Sequence, residues 1–197
     1  FDQQAEDEII DRVDAAKDRG DTIGGVVEAR FRNVPIGLGT YTQWDRKLDG
    51  RLAQAVMSIQ AMKGCEIGDG WQAARLPGSS VHDAIVGAGD ARYQRASNRS
   101  GGLEGGMTNG EELVVRAAMK PIATLMQPLQ TVDVVTHEPV AASRERSDVT
   151  AVPAASIVVL AMCAFVLADA VTEKFGADSL REIKASLAAH REYAAAY

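Results

Sequence analysis

Cysteine is scarce in this chain of 197 residues: Cys65 and Cys163 stand far apart and outside any Cys-x-x-Cys spacing. That excludes a disulfide framework or a structural zinc site and suits a reducing, cytoplasmic setting. Positive charge is also short. Lys and Arg number 21 against 27 Asp and Glu, a net charge of −6. A protein that coats nucleic acid carries the opposite balance, so no nucleic-acid partner is expected. A local basic patch for one small anion is still compatible with it. Phe1 to Asp7 are acidic and polar, with no basic region leading into an apolar one, so no signal peptide is expected. His82, His137 and His190 are scattered without ligand spacing, and no metal is expected. Internal repeats are missing too.

What is present is globular in composition, with 46% hydrophobic and 24% charged residues, on a length that suits one domain or one and part of a second. One apolar run stands out. Val149 to Ala168 carry no charge, about the length a bilayer helix needs. Thr150, Pro153, Ser156, the many alanines and the lack of flanking Lys/Arg on both sides predict a buried core helix instead, and no membrane partner.

Periodicity predicts an amphipathic helix over Ala5–Arg19, with Ile9, Ile10, Val13 and Ala16 on one face and Gly20 ending it. A strand with one wet face follows, Val27, Ala29 and Phe31 alternating with Glu28, Arg30 and Arg32. A second helix is expected from Asp45 as N-cap to about Met62, stopped by Gly64. Cys65 to Ala74 read as extended, and Pro77 to Gly110 as a glycine-rich loop of the length that is either functional or disordered. Strand character returns at Glu112–Lys120 and Gln130–Thr136. Pro153 fits the first turn of the apolar helix, and Ser179 and Glu182 stand in capping-box spacing before a last helix. This order predicts an α+β or sandwich-type domain rather than a doubly wound one.

Three segments carry candidate chemistry. The run from Ser97 to Gly110 is no Walker A loop and lacks dinucleotide-fingerprint spacing, but its paired glycines would let backbone approach a planar or phosphorylated ligand. A mobile surface loop explains the same composition. Lys120-Pro121-Ile122-Ala123-Thr124 follows a predicted strand, so a cation and neighbouring amides would point towards a phosphate or an electron-rich ring. A solvated lysine at a strand end explains that too. Arg144 to Thr150 gather arginines, an acid and hydroxyls where a helix N-terminus favours negative charge. A salt-bridged loop capping a hydrophobic helix accounts for the same residues. Ser79, Ser80, His82 and Asp83 do not make a triad, because sequence neighbours rarely form one.

Taken in order, these stretches resemble the C-terminal portion of the chorismate synthases, of the bacterial, actinobacterial type. The matching runs are GDTIGGVVEAR (Gly20–Arg30), VPIGLGTY (Val34–Tyr41) and WDRKLDGRLAQAVMSIQAMKGCEIGDG (Trp44–Gly70). They continue with NRSGGLEGGMTNGE (Asn98–Glu111), AMKPIATL (Ala118–Leu125) and RSDVTAVPAAS (Arg146–Ser156).

The resemblance implies a β-α-β sandwich within a single domain. It implies a lyase of the shikimate pathway of aromatic amino acid biosynthesis, an NADP-linked flavoprotein assembled as a homotetramer. Its reaction would remove phosphate from 5-enolpyruvylshikimate 3-phosphate to give chorismate, using reduced FMN without net oxidation. Carried over by motif, the flavin contacts would be Gln60, Ala61, Gly105, Lys120, Pro121, Ile122, Ala123, Thr124 and Arg146, with Asp148 as the catalytic acid group near the flavin's reacting edge. All three segments would then converge to wrap the flavin ring beside a departing phosphate.

The departures from the family matter as well. Thr150 stands where cysteine is common and Ser156 where glycine is common. The family's N-terminal portion, with two histidines and several arginines for the substrate, has no counterpart here. The chain by itself is therefore expected to be inactive. A truncated, non-catalytic flavin-binding or oligomerisation fragment of the same fold is the alternative, and a membrane-associated protein built on the apolar helix a third reading. His82-Asp83 resembles a family feature and receives no catalytic role.

Overall fold

In the computed structural model, which describes residues 2–88 and 91–196, the chain begins with α1 (Gln3–Asp18). Its N-cap is Asp2, whose carboxylate accepts the Ala5 N–H. β1 (Gly25–Phe31), α2 (Leu48–Met57) and β2 (Met62–Ile67) follow. Then come a one-turn helix α3 (Gly70–Ala73) and a hairpin of β3 (Ile85–Ala88) and β4 (Ala91–Arg95). A tight hairpin pairs β5 (Leu103–Glu104) with β6 (Met107–Thr108). β7 (Leu113–Met119) enters the main sheet. A further hairpin of β8 (Gln130–Val132) and β9 (Pro139–Ala141) precedes α4 (Val152–Phe175) and α5 (Leu180–Ala195).

The main sheet has the order β1-β7-β2, antiparallel throughout, with β7 in the middle. Period-two patterning decides its faces. Val27 and Ala29 of β1 and Leu113, Val115 and Ala117 of β7 turn inward and are buried. α2 and α4 cover that face, placing Leu48, Leu52, Val56, Val159 and Cys163 in one apolar cluster with the strands. Each fully buried Leu or Val there stabilises the fold by about 1.5–3 kcal/mol. The other face of the sheet is wet and charged. Glu28 holds Arg30 and Arg116, both at 2.6 Å, and Glu112 pairs with Arg32 at 2.9 Å. The result is an α+β two-layer arrangement.

Several elements depart from the sequence expectations. α2 starts at Leu48 rather than beside Asp45, because the Leu48 N–H is already taken by the Gly106 carbonyl at 2.9 Å. It ends at Met57, well before Gly64, and Ala61 supplies the left-handed residue (φ 66°) that turns the chain into β2. The segment expected as loop from Pro77 to Gly110 holds both small hairpins. His190 packs edge-on against Phe175 with ring centroids 5.3 Å apart, and its Nε2 lies 2.9 Å from the Ile36 carbonyl oxygen. The Ser179 cap is as expected, its hydroxyl accepting the Glu182 N–H at 3.3 Å. Burial pushes the Cys163 thiol up to about 11, which leaves it inert at neutral pH.

α4 is only half a core helix. Ala155, Val159, Cys163 and Leu167 form its buried stripe. On the opposite side Ile157 is 67% exposed and Phe165 75%. Every exposed residue from Pro153 to Ala168 is apolar. By length and composition the helix would also satisfy a bilayer, yet its buried stripe packs on β1 and α2 and belongs to the domain core.

Candidate functional site

The end of β7 is where most of the expected site residues meet. The Lys120 N–H donates to the Ala61 carbonyl at 3.0 Å, which sets the α2–β2 turn, Gln60 and Ala61, directly beside the strand exit. Beyond Lys120 two hydroxyls take the carbonyls of the exposed run. Thr22 Oγ1 donates to the Ile122 oxygen at 2.6 Å, and Ser147 Oγ donates to the Thr124 oxygen at 2.9 Å. The Ile23 N–H donates to the Val149 carbonyl at 2.9 Å. Segments 20–24, 120–124 and 146–150 therefore run side by side. Gly24 makes this possible: a Cβ there would stand 2.2 Å from the Met119 carbonyl oxygen, a distance no side chain tolerates.

Three exposed charges collect here, on Lys120, Arg146 and Asp148. Among the described residues, the N–H groups of Ile122, Ala123 and Thr124 have no acceptor. Free amides beside two cations suit an anionic or electron-rich planar ligand, so these residues fit a flavin mononucleotide. Arg146, Asp148 and Thr22 also line an open groove of about 790 Å³, to which α1 contributes Asp14, Lys17 and Asp18. Ala151 is the N-cap of α4, and just before it the Thr150 hydroxyl accepts the Val152 N–H at 3.3 Å, while Asp148 stays exposed to the groove.

Gly105 is elsewhere. It sits at the tip of the β5–β6 hairpin, against the N-terminus of α2 and near the start of β7. The seven residues of β7 separate that region from Lys120, roughly 20 Å at about 3.3 Å per residue. Within one chain, two of the three segments expected to converge do so, and the glycine loop does not join them.

The glycines of that loop divide by use. Gly101, Gly102 and Gly106 serve the protein itself: a Cβ on them would meet Gly68 N at 2.3 Å, the Glu112 oxygen at 2.7 Å and the Lys47 side chain at 2.7 Å, respectively. Gly105, at φ 60°, has open space around its missing Cβ.

The best-built polar feature centres on Asp83, named beside His82 in the sequence but given no role there. Asp83 is 7% exposed. One carboxylate oxygen accepts Ser97 Oγ–H at 2.6 Å and Arg99 N–H at 2.8 Å, and the other accepts Ser100 N–H at 2.9 Å and Ser100 Oγ–H at 2.6 Å. Burial works to raise the Asp83 carboxyl, but together these hydrogen bonds outweigh it and hold the group well below the usual carboxylate range. The sequence offers the His82-Asp83 resemblance, but the Ser-Asn-Arg-Ser donors lie too far along the chain to be paired with Asp83 by spacing.

With that geometry in place, the relatives are informative. A profile of the family described as chorismate synthase matches residues 1–172. Chorismate synthase of Thermus thermophilus is 60% identical over 196 residues, covering 100% of this chain and 51% of the relative. That of Geobacter sulfurreducens is 53% identical over 204 residues, covering 100% of this chain and 52% of the relative. A solved structure titled "Crystal Structure of Chorismate Synthase" superposes with a TM-score of 0.82 at 44% identity, over 98% of this chain and 50% of that one. The chain thus spans about half the length of the curated relatives it matches. In sequence and in fold, it belongs to the chorismate synthase family.

Proposed function

We propose that this chain is the C-terminal portion of a single chorismate synthase domain, a cytoplasmic lyase of the shikimate pathway. The reaction would take phosphate from 5-enolpyruvylshikimate 3-phosphate to give chorismate. The observation that carries this reading is the meeting of Gln60–Ala61, Lys120–Thr124 and Arg146–Asp148 at one end of the sheet, with free amides and two cations. Gln60, Ala61, the 120–124 run and Arg146 would hold reduced FMN there. When bound, a reduced flavin supplies electron density reversibly, without net oxidation, to a step that expels phosphate.

The chain's own residues do the rest. Arg146 and Lys120 are fixed cations for the charge that builds on the departing phosphate. Asp148, exposed in the groove, holds or moves a proton at its carboxylate oxygen. The apolar flank of α4 and the placing of Gly105 on a separate hairpin from the β7 exit support completion of the site by the remaining half of the domain and by further copies, in a homotetramer. A non-catalytic flavin-binding fragment is the second reading, favoured by the match to only half of each relative.

The test is titration of this chain with reduced FMN, followed by flavin fluorescence. Arg146→Ala should weaken binding tenfold or more. Equal binding by wild type and Arg146→Ala would remove the site from this face. Asp148→Asn should keep flavin affinity while abolishing turnover once the complementary half is supplied; turnover at the wild-type rate would strike Asp148 from the mechanism.

A further inference from the structure

Asp83 lies outside the groove, yet its contacts lead to the glycine hairpin by two routes. The first is its carboxylate, which fixes Ser97, Arg99 and Ser100 through four donors. That turn passes on its geometry at once: the Asn98 side chain accepts the Gly102 N–H at 2.9 Å and donates to the Glu112 carbonyl at 2.8 Å. The second is its carbonyl oxygen, which accepts Arg95 Nη1–H at 2.8 Å. Arg95 Nη2 donates to Glu104 Oε2 at 2.6 Å, and the same oxygen accepts from Asn109 Nδ2 at 3.0 Å. Glu104 and Asn109 bracket the tip that carries Gly105.

All four groups on the carboxylate are donors, and none is a cationic side chain. The two hydroxyls could turn to accept, but each carboxylate oxygen also takes a backbone N–H, so an amide in its place would aim one N–H at another. The arrangement is specific to a carboxylate and to this turn.

We propose that Asp83 is a positioning residue for the glycine hairpin: without touching any ligand, it sets the Ser97–Gly102 turn and, through Arg95 and Glu104, the place of Gly105, which would reach the flavin of another copy rather than the groove of its own chain. The part of this that concerns flavin rests on the functional reading above. The part that concerns the loop does not.

Two measurements on this chain separate them. Amide hydrogen exchange needs no ligand. Asp83→Asn should speed exchange of residues 98–109 tenfold or more, while β1, the centre of β7 and α2 stay within twofold. Ser100→Ala, which removes one hydroxyl donor and leaves the carboxylate, should give a smaller change over the same residues. Unchanged exchange in 98–109, or uniform acceleration along the whole chain in both variants, overturns the proposal. Reduced-FMN titration is the second measurement. Asp83→Asn should raise the dissociation constant at least fivefold, and Asp83→Glu, which keeps the carboxylate, should restore part of it. Loosened exchange with wild-type affinity overturns the positioning role. Absence of flavin binding in the wild-type chain overturns the flavin reading and the positioning role with it, while the exchange result still decides whether Asp83 holds the loop.

Discussion

At the start of β7 the chain is held by a carboxylate with four donors and by two glycines, Gly68 and Gly101, whose backbones touch. At its end the strand runs out into the exposed 120–124 segment, held by two hydroxyls from neighbouring loops. The first region is braced: the Asp83, Asn98 and Arg95 side chains are all hydrogen-bonded within it, and Gly68 and Gly101 are spent on close packing. The second leaves amides and charges open. A preorganised end and an open end on one central strand mean that stability is concentrated where the ligand-facing surface is small, and chemistry where the backbone is least braced.

The contrast can be broken most severely at Gly68. Its φ is 57°, and a Cβ would stand 2.3 Å from the Arg99 carbonyl oxygen. Gly68→Ala should therefore cost more than about 3 kcal/mol in urea unfolding. Loss below about 1 kcal/mol would show that the crossing can relax.

Asp83→Asn comes next, at about 2–3 kcal/mol for donors left facing an amide, and its pH dependence sharpens the comparison. Because the folded group is held below its ordinary value near 4, its contribution is complete above that value and fades as pH falls through the folded one. The wild-type advantage should accordingly be flat from neutral pH to about 5 and shrink below about 4. His82, Arg95, Arg99 and Glu104 line a small cavity together with Asp83 and are common to both proteins. An advantage that grew on acidification would contradict the assigned sign.

At the open end Thr22→Val removes one hydroxyl bond to Ile122 and should cost about 1 kcal/mol. A cost equal to that of Gly68→Ala would erase the distinction between the ends. Smallest of all, Ala61→Gly relieves a left-handed alanine (φ 66°) and should change stability by about 0.5 kcal/mol at most, in the favourable direction. A clear loss would mean that the Ala61 methyl packs usefully in the turn.

Much of the frame was legible because local pattern and tertiary packing agree. The alternation around Val27 and Ala29, the stripe of α2 and the Ser179 cap all point the same way at both levels. The ends of α2 were not legible, since its N-terminus is capped from a distant hairpin and its exit depends on a left-handed alanine. Asp83 was hidden for the same reason: a buried acid and its donors are joined only by folding. The meeting of Lys120 with Arg146 was implied by likeness of motifs, but the hydroxyls that bring them together, Thr22 and Ser147, are unremarkable as letters. Gly105 shows the converse. Its composition suggests ligand approach, yet only coordinates reveal that its neighbours are used internally and that it lies at the far end of β7.

The bare flank of α4 has a consequence for handling the chain in solution. A single stripe of alanine, valine, isoleucine, leucine and phenylalanine, rather than the net charge of −6, will set how readily molecules cluster. Sulfate and moderate warming should promote clustering, and low urea should reverse it.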